Sequence, residues 1–268
     1  MRPRSIDGRT ALVTGASSGL GADFARELAR RQVRLIIVAR RIENLRSLAG
    51  ELRAACNVEV QVVQADLSLP SAASDLYELL TSQGAKVDIL INNAGLGLYG
   101  EAWRIPWIKE HGMLQIDVVT LAGLTKLFLP QMLERRFGYI LNVSSIAAYQ
   151  PNPFYASYAA AKTFVLNYSE ALNHELRGSG VSVTVVSPGI TATEFLKIAG
   201  QKATPYQRLV MMQSADVVRI GIDAMLRGKP SVVPGRINAL TAWFGYFSPR
   251  ALSVRVAELL MRSNEPQH

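Results

Sequence analysis

Short, nearly continuous apolar runs punctuate the chain at residues 11–14, 33–39, 58–65, 87–92, 139–144 and 181–187. Between them, apolar and polar positions alternate with helical period at 23–31, 42–55, 72–82, about 113–136 and 157–177. A run that is apolar at every position reads as a strand buried on both faces, and strands alternating with amphipathic helices read as a parallel sheet covered on both sides. Right-handed crossovers then produce a doubly wound α/β fold, with the ligand crevice at the carboxyl ends of the strands. Residues 189–213 lose this pattern and are expected to form a flexible, irregular cover over a substrate. A helix at 215–227 and an edge strand at 231–234 follow, the edge position being what Pro234 permits. Two apolar helical pieces broken at Ser248-Pro249 close the chain as an extension over 236–262. No repeat, low-complexity tract or linker divides it, so residues 1–268 are expected to be a single domain.

Composition narrows the setting. With 268 residues and 49% hydrophobic content the chain can bury a large core. Cys56 is the only cysteine, which rules out a disulfide within the chain and fits a reducing compartment. The start, Met1-Arg2-Pro3-Arg4-Ser5-Ile6-Asp7-Gly8, has no apolar signal core, and no apolar stretch is read as approaching the ~20 residues that span a bilayer. A cytoplasmic protein is expected. A net charge of +8 and a pI near 9.8 suggest anionic company. The basic residues are scattered, apart from pairs such as Arg40-Arg41 and Arg135-Arg136, so cofactor phosphates or an acidic substrate fit better than nucleic acid. His111, His174 and His268 are dispersed and no Asp, Glu or Cys cluster joins them, so no metal site is expected.

The turn after the first strand reads Thr14-Gly15-Ala16-Ser17-Ser18-Gly19-Leu20-Gly21. Glycines here let the backbone approach a pyrophosphate, which the amino end of the next helix attracts. The spacing Gly-x-x-x-Gly-x-Gly differs from the common Gly-x-Gly-x-x-Gly, but the order strand, turn, helix, strand is right for a dinucleotide. At the end of the second strand a carboxylate would select a free ribose hydroxyl; the chain reads Ala39-Arg40-Arg41 instead. Arg40 offers a planar cationic fork and Ser17 a hydroxyl donor to a 2′-phosphate, which favours NADP(H) over NAD(H). The alternative is that both arginines simply begin a surface helix. Asp66-Leu67 closes the third strand, where a carboxylate can accept from an adenine amino group. Asn93-Ala94-Gly95 closes the fourth, with small residues leaving room for ribose and Asn93 fixing neighbouring strand ends. Pro188-Gly189-Ile190-Thr191 and Thr193 follow the sixth and can hold a nicotinamide amide. Each segment alone also reads as an ordinary turn or cap.

Tyr158 and Lys162 stand one helical turn apart, and Ser145 lies at the mouth of the fifth strand. Reducing a carbonyl needs hydride on carbon and a proton on oxygen. Tyr158 can supply the proton if its pKa falls from ~10 toward neutrality, which Lys162 and an oxidised nicotinamide both favour. Ser145 can hydrogen-bond the substrate oxygen. Tyr155 has no lysine four residues on. An isolated Tyr-x-x-x-Lys would be a surface i,i+4 pair; the serine and the glycine turn give it the catalytic reading.

With these residues together the chain resembles the classical short-chain dehydrogenase/reductase family over about residues 8–234. The matching motifs are Thr14 to Gly21, Asn92-Asn93-Ala94-Gly95, Ser145, Tyr158 with Lys162, and Pro188-Gly189. The resemblance implies a Rossmann-like sheet of about seven strands, a tyrosine acid/base, and a homodimer or homotetramer joined through the helix carrying Tyr158. A basic residue in the place of Arg40 is the mark of NADP(H)-preferring members. One departure stands out: where the family phrase is Val-Asn-Val, this chain has Ile116-Asp117-Val118. The family's asparagine holds a water linking the lysine to solvent. Asp117 can accept from such a water, but if ionised it pairs with Lys162 and raises the tyrosine pKa. A dinucleotide-binding sensor or scaffold with weak or lost catalysis is therefore the alternative function.

Phe195, Leu196, Ile198, Tyr206, Leu209, Met211 and Met212 in the cover, Leu96, Leu98, Tyr99 and Trp103 after the fourth strand, and Tyr149 and Phe154 are candidates to wall an apolar pocket. They read equally as core. An aliphatic, aromatic or steroid-like ketone or alcohol fits them better than a sugar does. In the tail, Trp243, Phe244, Tyr246 and Phe247 with Arg250, Arg255 and Arg262 resemble an interfacial helix, although a lid or subunit contact is the preferred expectation over membrane contact.

Overall fold

The computed structural model describes residues 5–261; Arg262 and His268 lie outside them, as does the side chain of Tyr206. Seven strands form one sheet: β1 (Thr10–Thr14), β2 (Arg34–Ala39), β3 (Val60–Gln64), β4 (Ile89–Asn92), β5 (Gly138–Val143), β6 (Val181–Val186) and β7 (Ser231–Val232). Their order is β3-β2-β1-β4-β5-β6-β7 and every pairing is parallel. Chain order reverses between β1 and β4, which opens a crevice at their carboxyl ends.

The two-residue period of the strands divides the core. Ala11, Val13, Leu35, Ile37, Ile89, Ile91, Tyr139 and Leu141 face one side. There they meet Phe24 and Leu28 of α1 (Gly19–Arg30), Leu45, Leu48 and Leu52 of α2 (Ile42–Cys56), and Val218, Ile222 and Met225 of the helix Ser214–Leu226. Leu12, Ile36, Val38, Leu90 and Ile140 face the other side. They pack on Leu76 and Leu80 of α3 (Ala72–Ser82) and on Leu124, Phe128 and Met132 of the helix Leu121–Glu134. Continuous apolar runs in the sequence thus become two alternating contact sets, one for each helical layer.

The structure departs from the sequence reading between β4 and β5. The helix begins earlier than expected, as α4 (Trp107–Leu114), passes through a π-helical segment at Gln115–Thr120 and continues as α5 (Leu121–Glu134). Trp107–Glu134 is, by length and a mean hydropathy of 1.4, capable of crossing a bilayer, so the expectation that no such stretch exists is corrected. Half of its apolar window is buried, with Ile116, Leu124, Phe128 and Met132 packed in the core against the sheet, while Trp107, Ile108 and Val119 are exposed. After β5, a 3-10 turn (Ile146–Tyr149) leads to α6 (Ala156–Glu175).

The cover expected to be irregular contains two short helices, α7 (Phe195–Ala199) and α8 (Pro205–Val210). Thr204 caps α8 through a reciprocal pair of hydrogen bonds with Gln207, a local signal that outweighs Pro205, which is well placed in a first turn. A single parallel bridge, Thr191 to Met212, ties the ends of the segment together. Helix α9 (Ser214–Leu226) precedes β7, and the tail forms α10 (Arg236–Phe247) and α11 (Arg250–Met261), broken at Ser248-Pro249 as the sequence suggested.

Candidate active site

Thr14 ends β1 by binding the next strand. Its hydroxyl donates to the Ile91 carbonyl at 3.2 Å and accepts from the amides of Asn93 and Ala94, each at 3.0 Å. The Asn93 side chain returns a bond to the Thr14 carbonyl at 2.9 Å. The crevice between β1 and β4 is thereby fixed by side chains rather than by the ladder. Gly15 sits at φ +68°, and a Cβ there would lie 2.8 Å from the Ala94 Cα. A Cβ on Gly21 would overlap the Gly15 carbonyl. The two glycines allow turn, helix and neighbouring strand end to meet.

The amino end of α1 opens onto a cleft of about 450 Å³ through Ser17, Ser18, Gly19 and Leu20, and its first turn carries no acidic residue. Arg40 and Arg41, Asp66 and Leu67, Asn93 to Gly95, Pro188 to Thr191 and Thr193 all line the same cleft, with Ser145, Tyr158 and Lys162. Two of the expected residues do not: Gly21 is packed behind the turn, and Asp117 is buried behind the wall. Asp66 accepts from the Ser68 hydroxyl at 2.7 Å and the Ser68 amide at 3.0 Å. Burial pushes its carboxyl up, but these bonds and Arg40 outweigh that and hold it below the usual range.

Arg40, expected to face a 2′-phosphate, lines the cleft, but the guanidinium bonded to the glycine turn is that of Arg41. It donates to Ser18 Oγ at 2.6 Å, to Ser17 Oγ at 3.2 Å and to Glu194 Oε2 at 3.1 Å. Arg40 exerts its charge on Asp66. Glu194, just before α7, is held below the usual carboxylate range by Arg41. An arginine–serine cradle that already holds a carboxylate, beside a glycine-floored helix terminus, fits the phosphates of a dinucleotide. Sequence reasoning passed over Glu194, because a lone acidic residue 153 positions from its partner carries no local signal.

The reacting groups converge from β5 and α6. Ser145 accepts from the Ala147 amide at 3.1 Å, which fixes its hydroxyl at the start of the 3-10 turn. Ser144 donates to the Lys162 carbonyl at 2.7 Å, locking strand to helix. Tyr158 and Lys162 are both buried. The lysine Nζ donates to the Val143 carbonyl at 3.2 Å, lies 3.6 Å from Asp117 Oδ2 and stands 5.6 Å from the centre of the Tyr158 ring. Asp117 belongs to the π-helical segment, a distortion that re-aims side chains at functional sites. Its Oδ1 accepts from the Leu96 amide at 3.0 Å.

Burial raises the Asp117 pKa, with Lys162 pulling the other way. Burial also drives the Tyr158 phenol up, Asp117 adds to that, and a hydrogen bond with Ser145 opposes it. The expected fall toward neutrality is thus not a property of the protein groups alone. The ammonium is drawn to Asp117 and the Val143 carbonyl instead of the phenol. The upward push from Asp117 is the one the sequence reading anticipated.

Tyr155 has a structural part: its hydroxyl donates to Gln201 Oε1 at 2.8 Å, and its ring packs on Tyr158. Phe195 of α7 covers the other side of Tyr158, ring centres 5.5 Å apart. Of the expected wall, Leu96, Phe195, Leu196 and Ile198 line the cleft; Leu98, Tyr99, Tyr149, Phe154, Met211 and Met212 do not, and Trp103 and Leu209 are about 80% exposed. In their place the end of α11 contributes Leu260 and Met261. Its last carbonyls are held by Thr204 Oγ1 at 3.2 Å and Gln201 Nε2 at 2.8 Å, pairings too distant in sequence to be foreseen.

Comparison with known proteins agrees with this geometry. The short chain dehydrogenase family matches residues 9–203. A very-long-chain 3-oxoacyl-CoA reductase from Anas platyrhynchos is 32% identical over 269 residues, covering 96% of this chain and 80% of that protein. Among solved structures, a 7beta-hydroxysteroid dehydrogenase superposes with a TM-score of 0.85 at 27% identity, over 96% of this chain and 99% of that one. A short-chain dehydrogenase from Sphingobium yanoikuyae in complex with NADPH superposes with a TM-score of 0.80 at 30% identity, over 97% and 98%. With its glycine turn and its serine, tyrosine and lysine at one cleft, the chain belongs to the short-chain dehydrogenase/reductase family of nicotinamide-dependent oxidoreductases.

Proposed function

We propose that the protein interconverts a carbonyl and a secondary alcohol on a largely apolar substrate, using NADP(H). The observation that carries this reading is the meeting of Ser145, Tyr158 and Lys162 in the cleft that the glycine turn opens. When bound there, the nicotinamide supplies or accepts hydride at the substrate carbon. The protein does the rest. Ser145 hydrogen-bonds the substrate oxygen, and Tyr158 donates a proton to it in reduction or removes one in oxidation. Lys162 keeps positive charge behind the phenol and lies against the buried carboxyl of Asp117, which can hold or release a proton. The glycine turn and the α1 terminus would hold the pyrophosphate, Asp66 the adenine, Asn93 to Gly95 the ribose, and Pro188 to Thr191 with Thr193 the nicotinamide amide.

The Arg41, Ser17 and Ser18 cradle, with Arg40 beside it, supports a 2′-phosphate and hence NADP(H). The NADPH bound by the Sphingobium relative supports the same choice. Leu96, Phe195, Leu196, Ile198, Leu260 and Met261 favour an apolar substrate, in keeping with the steroid and long-chain acyl substrates named for the relatives. Assembly as a dimer or tetramer through α6, in the cytoplasm, completes the proposal; Phe164 and Tyr168 stack at 5.5 Å on that helix, with Phe164 exposed. Sedimentation velocity tests the assembly, and a monomer at micromolar concentration would remove it.

Turnover of a panel of cyclic and aromatic ketones with NADPH, and with NADH for comparison, tests the activity. NADPH should be preferred by about tenfold or more in kcat/KM. Absence of turnover for every ketone, with tight dinucleotide binding, would favour the second reading: a sensor in which Asp117 ties up Lys162.

A further inference from the structure

Helix α10 is built inside out. Its buried residues, Asn238, Ala242 and Gly245, are small or polar and share one side at i, i+4 and i+7. They let the helix lie close on the site: Gly245 sits against Gln150, Asn238 against Gly189, and Thr241 on the cleft wall. The large apolar residues take the opposite side. Ile237, Leu240, Trp243, Phe244 and Phe247 fall within one outward arc, each at least 37% exposed, with Tyr246 at its margin and Leu252 of α11 beyond it. Phe247 packs on Trp243 at 5.3 Å and on Tyr246 at 5.1 Å, outside the core.

The charges around this face are as uneven as its hydrophobicity. Arg236, Arg250 and Arg255 are exposed and make no ion pair among the described residues, a state shared with other exposed arginines such as Arg34 and Arg208; what sets this face apart is that they flank its apolar arc with almost no acidic residue near them in sequence. Arg236 and Arg250 also begin α10 and α11, where the helix dipole disfavours a cation, and neither helix has an acidic residue in its first turn. Glu258 is the only acidic residue in 236–261. A partner that is apolar in its interior and anionic at its rim would meet both needs.

We propose that the outward face of α10 and the start of α11 dock on an anionic lipid surface, with the aromatic residues in the headgroup region and the three arginines on lipid phosphates. A second copy of this chain fits less well, because a two-fold axis through the patch would set arginines against arginines. The proposal does not depend on the catalytic reading.

The test is co-sedimentation of the full chain with vesicles of phosphatidylcholine alone, or containing roughly a third phosphatidylglycerol. The chain should bind the mixed vesicles at least tenfold more tightly than the neutral ones, and less tightly at high salt. Trp243→Ser with Phe247→Ser should lose about tenfold or more of that binding. Replacing Arg236, Arg250 and Arg255 together by Gln should erase the preference for the anionic vesicles. Unchanged thermal melts would establish that these surface variants remain folded. Failure to bind mixed vesicles, binding indifferent to the Trp243 and Phe247 changes, or self-association lost with those changes while vesicles are ignored would each overturn the proposal.

Discussion

Replacing Asp117 by Asn tests the least usual feature of the site. The amide keeps a group able to accept from the Leu96 N–H, so local geometry should survive, and only the charge is removed. The 3.6 Å from Asp117 Oδ2 to Lys162 Nζ and the 5.6 Å from Nζ to the Tyr158 ring centre place the carboxylate no more than about 9 Å from that ring. At an effective dielectric constant near 20, one unit charge at that distance disfavours tyrosinate by about 2 kcal/mol, roughly one pH unit. The sign follows from the charges. An ionised Asp117 raises the phenol pKa, so its removal lowers it and leaves the Lys162 ammonium uncompensated beside the phenol. In alcohol oxidation with NADP+, the rising limb of kcat/KM against pH should move toward acid by about one unit; in ketone reduction the alkaline fall should move the same way. Superimposable profiles for the two proteins would refute the proposal that charge on Asp117 raises the Tyr158 phenol.

Other consequences follow from single contacts. Glu194→Gln removes the carboxylate that occupies Arg41, and steady-state kinetics should show KM for NADPH falling about two- to fivefold, with KM for NADH unmoved. Arg41→Ala should act oppositely, raising KM for NADPH about tenfold while leaving NADH alone; equal effects on both would mean that Arg41 does not meet the 2′-phosphate. Gly21→Ala, whose Cβ would meet the Gly15 carbonyl, should cost about 1–3 kcal/mol in urea unfolding and weaken dinucleotide binding, and an unaffected midpoint would count against the close packing.

Much of the fold was legible because buried parallel strands write themselves as unbroken apolar runs. The runs at 11–14 and 33–39 become β1 and β2, with alternate residues in the two core layers. The tail break at Ser248-Pro249 was legible for an equally local reason. The π-helical segment holding Asp117 was not: Gln115–Thr120 lies within a stretch read as one continuous helix, and its β-branched residues do not by themselves distinguish a π-helical turn from an α-helical one. The order in 189–213 was hidden too, since the Thr204–Gln207 cap lies next to a proline that reads as a breaker. At the site, Ser145, Tyr158 and Lys162 were readable from type and spacing. Glu194 and Met261 were not, because their roles depend on Arg41 and Gln201, far away along the chain.

Position alone favoured Arg40 at the strand end, and it could not show that the Arg41 side chain turns onto the glycine loop, where it bonds Ser17 and Ser18 while Arg40 lines the same cleft. The apolar surface of α10 posed a similar ambiguity. Its aromatic content was plain in the sequence, but whether those rings face the core depends on Asn238, Ala242 and Gly245 taking the inner positions.

The central claim, that the Tyr158 hydroxyl moves the proton, is tested most directly by comparing Tyr158→Phe with the unaltered protein in NADPH-driven reduction of an accepted ketone while NADPH affinity is measured separately. The phenyl ring keeps the packing against Tyr155 and Phe195 and removes only the hydroxyl. The account predicts that kcat falls by about a thousandfold while the Kd for NADPH changes less than about twofold. A variant that retained most of its turnover would contradict it.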